Sequence, residues 1–248
     1  MRFIERAHPE QSVALASLAA PNRLLGLLAE ADMRGRISVD KAGQTQAIET
    51  ARLYRTHAAE LGCLDTPYPF ANAHSRFTYF SKEGETGLPF EIFDPTAFEV
   101  TMLCGLPGVG KDLWISKSLP AEEAVLSRDE VRADLKEEDV DDEGRVLQEV
   151  LLRTRQLLAK KQNFAINATN LRRDLRRGFL QLCHAYGART RLVFLHADRA
   201  AVLRRNAKRP DETRVPVAAI DRFAKRMETP DWRECYNVQL VDMGDAGR

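Results

Sequence analysis

The sequence predicts an α/β protein: a parallel sheet flanked by helices, with a helical lid, preceded by a smaller helical N-terminal region. Three observations carry this expectation. From residue 97 onward, short apolar runs alternate with helix-length segments, the pattern of a parallel sheet with right-handed crossovers. The apolar run 98–104 leads into the loop Gly105-Leu-Pro-Gly-Val-Gly-Lys111 and then into a helix-forming segment. Residues 9–62 place apolar side chains at three- and four-residue spacing, as in Val13, Leu15, Leu18 and later Ala51, Leu53, Tyr54.

In chain order, residues 9–62 read as helices, punctuated by Pro21 and by Gly35-Arg36. Residues 63–97 are rich in Pro, Gly and aromatics and low in periodicity, and include Tyr68, Phe70, Phe77, Tyr79, Phe80, Phe90 and Phe93. They read as an ordered connector wrapped onto the domain that follows. Alternatively, the aromatics beside Arg76 stack a nucleobase. The remainder, 98–248, reads as one domain. Strands are expected at 97–104, 124–127, 164–169, 190–197 and 238–242. Helices are expected at 111–118, 129–135, 143–161, 174–186, 199–208 and 217–227. The acidic run 136–143 reads as a solvated loop. Ligands on such sheets lie at the carboxyl ends of the strands, so 105–112, 127–132 and 169–170 can converge on one cleft.

Composition limits the function classes. The 248 residues are 44% hydrophobic and 29% charged, ordinary for a globular protein, and the net charge is +1. No run approaches eighteen apolar residues, so no membrane partner is expected. Arg2, Glu5, Arg6, His8 and Glu10 near the start argue against a secretory signal. Cys63, Cys104, Cys183 and Cys235 form no CxxC pair and read as reduced, buried thiols of a cytoplasmic protein. Oligomeric state is left open.

The chemistry starts at the glycine loop. Gly105, Gly108 and Gly110 let the backbone curl so that N–H groups point inward at phosphates, and the following helix adds its positive end. The loop is therefore expected to hold a nucleotide, ATP or another triphosphate, against Gly105, Gly108, Val109 and Gly110. Lys111 reaches the phosphates as a point charge, with Asp112 and Leu113 beside it. A Ser or Thr would ordinarily follow the lysine and bind Mg²⁺. Asp112 stands there instead, a hard oxygen ligand for the metal that also brings negative charge to the triphosphate.

Asp129 and Arg132 lie three residues apart at a helix start and share a face. Asp129 is either a base for an attacking hydroxyl or a helix cap, and Arg132 can pair a substrate phosphate bidentately. The basic segment 203–214 reads as a mobile lid, with Arg209 as the arginine over the transferred group and Arg205 and Arg214 behind it. Thr169 and Asn170 either orient the phosphate or metal waters, or form an Asx-type turn.

Together, Gly105-Leu-Pro-Gly-Val-Gly-Lys111, Arg128-Asp-Glu-Val-Arg132, Thr169-Asn170-Leu171 and Arg205-Asn-Ala-Lys-Arg209 resemble the 5′-hydroxyl polynucleotide kinases of the P-loop phosphotransferase superfamily, over roughly 98–242. With Leu64-Asp-Thr-Pro-Tyr-Pro-Phe-Ala-Asn-Ala-His-Ser-Arg-Phe77 and Asp112, the chain is similar to bacterial repair proteins that join an HD-type phosphohydrolase to such a kinase. The resemblance implies ATP and Mg²⁺ as cofactors, a nucleic-acid 5′-OH end as acceptor (RNA or DNA), and transfer in RNA repair. It makes Lys111 the phosphate ligand, Asp129 the general base, Arg132 the holder of a 3′-phosphate and Arg209 the lid arginine. Residues 27–36 resemble the tail of the phosphohydrolase domain. The chain contains no His-Asp dipeptide, so no phosphatase activity is expected of it.

Overall fold

The computed structural model describes residues 8–81, 91–137 and 142–244. The chain divides into two units, residues 1–93 and 94–248. In the second, five strands form one all-parallel sheet: β1 (Phe98–Cys104), β2 (Ala124–Ser127), β3 (Phe164–Asn167), β4 (Ala188–His196) and β5 (Asn237–Asp242), in the order β2-β3-β1-β4-β5. Among the described residues, the α-helices of this unit are α5 (Lys111–Ser118), α6 (Arg128–Glu137), α7 (Glu143–Ala159), α8 (Arg173–Ala185), α9 (Arg199–Ala207) and α10 (Val217–Lys225).

β1 lies at the centre, and its alternation sorts side chains to two faces. Val100, Met102 and Cys104 join Val146 and Val150 of α7 and Phe179 and Leu180 of α8. Leu103 points to the other face and joins Trp114 of α5, with Val193 and Leu195 of β4. Burying each such side chain contributes about 1.5–3 kcal/mol, and a sheet apolar on both faces needs helices on both. The chain leaves β1 for β2 and β3 on one side, then passes to β4 on the other. That switch opens a crevice at the carboxyl end of β1, where the glycine loop begins. β3 stops at Asn167 rather than 169, because Asn170 turns the chain at φ 44°.

The first unit contains α1 (Pro9–Ser17), α2 (Asn22–Gly35), α3 (Lys41–Glu60) and α4 (Ala73–Ser81). Its polar centre is Asn22, fully buried, whose amide donates to Val13 O (3.2 Å) and Cys63 O (2.8 Å) while its carbonyl accepts from the Tyr54 hydroxyl. The expected connector is corrected here. Tyr79 and Phe80 of α4, with Tyr68 and Phe70, pack on Ala14 and Leu15 of α1 and on Leu18 just after it, so these four rings complete the core of the N-terminal unit. Tyr68 is tied there by its N–H, which donates to Ser17 Oγ at 2.8 Å. Phe90 lies outside the described residues. Among the described residues no single helix is long and apolar enough to cross a membrane. All four cysteines are free and buried.

Candidate active site

A cleft of about 1030 Å³ opens at the carboxyl ends of β1 and β3, and the glycine loop, α6, the turn after β3 and the 205–216 segment all contribute to it. Lys111, Asp129, Arg132, Thr169 and Arg209, expected from sequence to work together, all line this cleft.

Gly108 (φ 80°) and Gly110 (φ 111°) adopt backbone that side-chain-bearing residues avoid. A Cβ on Gly108 would also stand 3.0 Å from Val202 O. Val109 is buried, so it serves by its backbone, and its carbonyl accepts from Arg205 Nη1 at 2.9 Å. Arg205 also donates to Met243 O, bracing the loop against the chain beyond β5. The Gly105 N–H is already spent on Thr169 O (2.9 Å), so Gly105 shapes the loop but offers no N–H to a phosphate. Leu113, 36% exposed, lines the cleft from the first turn of α5.

Lys111 Nζ donates to Gly105 O (3.2 Å) and Leu106 O (3.1 Å). Burial in the loop lowers its pKa from 10.5 to about 8; Asp112 and then Asp129 raise it in part, and Arg209 lowers it. Lys111 therefore carries its charge at neutral pH and loses it as pH rises through about 8. Nucleotide affinity is expected to fall over that range, with proton uptake on binding near pH 8.5. The stability of the free protein moves the other way. The unfolded state holds this proton to about pH 10.4, so stability rises with pH between the two values. Calorimetric titration of nucleotide from pH 7 to 9.5 checks the first expectation: affinity that does not fall above pH 8 would mean Lys111 is not the phosphate ligand.

Asp112 Oδ1 accepts from Asn167 Nδ2 at 2.7 Å, which fixes the carboxylate at the end of β3. Asn167 was not anticipated as a site residue, and only the fold brings it to Asp112, 55 residues earlier. Thr169 lines the cleft, whereas Asn170 does not. Asn170 is corrected from a substrate contact to a support: its buried amide donates to Leu103 O (2.7 Å), and its carbonyl accepts from Cys104 Sγ (3.0 Å) and Arg176 Nη1 (3.1 Å). Its backbone lies in the left-handed region, at φ 44°.

α6 is capped by Ser127 Oγ, which accepts from Glu130 N, and this frees Asp129 from that duty. Asp129 instead accepts from Arg132 Nη1 at 2.7 Å. Glu143, the first residue of α7, accepts from Arg132 Nε and Arg128 Nη2, both at 2.8 Å. The Arg132 hydrogen bond holds Glu143 below the usual carboxylate range. Glu143 opens α7, where the helix 143–161 was expected to begin, and its exposed carboxylate is engaged by two arginines, which the reading of 136–143 as a solvated loop did not anticipate; residues 138–141 of that run lie outside the described residues. Arg128, Arg132 and Lys136 recur every four residues, form one stripe on α6 and all line the cleft. That spacing was a legible signal.

In the 205–216 segment, Asn206 is buried and pairs both ways with the Val215 backbone, at 2.8 and 3.1 Å, so the ends of the loop between them are fixed. Arg214 is engaged with Asp211 (2.7 Å) and with the carbonyls of Ala207 and Arg209. The guanidinium of Arg209 has no hydrogen-bond or ion-pair partner among the described residues.

A family model described as AAA domain, AAA_33, matches residues 100–230. Among solved structures the chain is similar to a kinase from Chloroflexus aurantiacus J-10-fl, with TM-score 0.51, 14% identity, and coverage of 62% of this chain and 89% of that one. It is also similar to a gluconokinase from Sinorhizobium meliloti 1021 (TM-score 0.39, 18% identity, 61% and 85% covered). A third is the APS kinase of Mycobacterium tuberculosis (TM-score 0.39, 20% identity, 59% and 90% covered). No curated protein sequence matches the chain.

Proposed function

The chain belongs to the AAA-domain family AAA_33, a P-loop kinase type whose model spans more than half of it, and on that premise we propose that it transfers the γ-phosphate of ATP to the 5′-hydroxyl end of a polynucleotide. The supporting observation is the charge of one cleft. Among the described residues, nine Lys and Arg side chains line it against four Asp and Glu. Lys111 belongs to the glycine loop, Arg205 donates to Val109 O of that loop, and Arg209 and Arg214 line the same cleft, where a triphosphate would bind. Arg128, Arg132 and Lys136 project from α6, about 6 Å of helix rise apart, and Arg172 and Arg226 add to them. A neutral acceptor has no use for that second group; a chain of phosphates does.

The residues divide the work. Lys111 holds the transferred and bridging phosphates. Asp129 takes the proton of the attacking hydroxyl as its oxygen bonds to phosphorus, while the bond to the departing ADP oxygen breaks. Arg209, uncommitted at rest, offsets charge on the transferred group. The donor chemistry fits Mg²⁺, which favours one or two carboxylates together with substrate phosphates and waters over a protein cage. Asp112, oriented by Asn167, would supply that carboxylate. Among the described residues there is no cluster of three or more His, Cys, Asp or Glu. Bound there, the ion would offset phosphate charge.

A second reading, a kinase for a small-molecule acceptor such as a sugar, nucleoside or antibiotic, draws on the pairing of Arg128 and Arg132 with Glu143 and Asp129, which offsets positive charge on the α6 side of the cleft. Incubation with labelled ATP and 5′-hydroxyl oligonucleotides of increasing length separates the two. The polynucleotide reading expects label at the 5′ end and an apparent affinity that falls with salt, at a log–log slope near −2 for about three phosphate contacts. No transfer to any oligonucleotide, with label appearing on a phosphorylated sugar or nucleoside, would replace it with the second reading.

A further inference from the structure

We propose that Glu143 is a resident stand-in for the acceptor's phosphate: its carboxylate occupies the Arg128–Arg132 pair at rest and is displaced when an anionic acceptor binds. The inference deepens the proposed function, since it takes α6 as the acceptor side of the cleft.

The geometry is that of an anion in an arginine pair. Each carboxylate oxygen takes one N–H from a different guanidinium, Oε1 from Arg132 Nε and Oε2 from Arg128 Nη2, both at 2.8 Å. Two oxygens of a phosphate meet two arginines in the same way, and with more charge. The pair is also short of acceptors. Arg128 Nε is buried and has no hydrogen-bond partner among the described residues. A phosphate brings more acceptor oxygens than the two of the carboxylate.

Glu143 is dispensable to the helix that carries it. Asp142, not Glu143, caps α7, accepting from Gly144 N at 2.8 Å. The Glu143 side chain is 63% exposed, and exposed ion pairs hold weakly, so a phosphate can displace it without breaking packed structure. Asp129 keeps a separate N–H of Arg132 (Nη1), so the exchange at Nε leaves the base in register with its arginine. A resident carboxylate also tunes selectivity: an acceptor without a phosphate gains nothing from this pair, because it has nothing with which to replace Glu143.

The alternative is that Glu143 braces the two arginines in position for the acceptor. The two accounts predict opposite signs. With the glycine loop saturated by a non-hydrolysable ATP analogue and Mg²⁺, inorganic phosphate is titrated calorimetrically into wild-type protein, Glu143→Gln and the double variant Glu143→Gln/Arg132→Ala. The glutamine is near-isosteric at an exposed position, and a thermal melt of each variant confirms folding. Competition expects Glu143→Gln to bind phosphate roughly tenfold more tightly than wild type, and the added Arg132→Ala to remove that gain. Equal or weaker binding by Glu143→Gln, or a gain that survives loss of Arg132, overturns the proposal. The titration uses no acceptor alcohol, so it stands whether or not oligonucleotides prove to be the substrate.

Discussion

Asp129→Asn is expected to lower kcat by about 10²–10⁴-fold, or ~2.7–5.5 kcal/mol of transition-state stabilisation, while nucleotide still binds. The amide keeps an acceptor for Arg132 Nη1, so the local ion-pair geometry is only weakened, but it cannot take a proton from the attacking hydroxyl. The side chain is 76% exposed and Ser127 does the capping, so little stability is at stake. A second signature separates this role from simple disruption. The Asp129 charge supports protonation of Lys111, so its removal lowers the Lys111 pKa from about 8. The fall of nucleotide affinity with pH should therefore begin at lower pH in the variant. Single-turnover transfer with labelled ATP measures the first effect and an analogue titration across pH the second. Transfer at the wild-type rate would remove Asp129 from the chemistry.

How much of this site was legible in sequence depends on how local its cause is. The glycine loop announces itself because positive φ at Gly108 and Gly110 and the lysine that follows are demands of a few adjacent residues. The strands of the sheet were legible from apolar runs that need cover on both faces. Asp112–Asn167 and Arg132–Glu143 were not, since each joins residues from separate elements whose juxtaposition only the strand order decides. Asn170 shows the reverse error. Its position after a strand at the cleft invited a ligand role, but the direction of its side chain depends on a φ of 44°, which turns the amide under β1. The aromatic tract was misplaced for a simpler reason: rings bury against the nearest apolar surface, and α1 supplies it.

Arg176→Met is expected to destabilise the C-terminal unit by about 3–5 kcal/mol, a fall in Tm on the order of 10 °C. Arg176 is fully buried on α8, and its guanidinium makes a bidentate pair with Glu234, at 2.7 and 2.9 Å. It also donates to Asn170 O (3.1 Å) and Glu228 O (3.0 Å). Methionine fills part of the volume but leaves the Glu234 carboxylate, 8% exposed, without its principal partner, and that uncompensated charge is the larger loss. Adding Glu234→Leu removes the stranded charge and should recover most of the stability, since buried pairs replaced by apolar side chains are often neutral. Recovery should not extend to the site. The Asn170 carbonyl that Arg176 holds belongs to the turn that braces Leu103 and Cys104, directly before the glycine loop. The double variant should therefore melt near the wild-type temperature and still bind ATP several-fold more weakly. Wild-type affinity in a restored double variant would show that the turn after β3 keeps its shape without the arginine, and that Arg176 serves the fold alone.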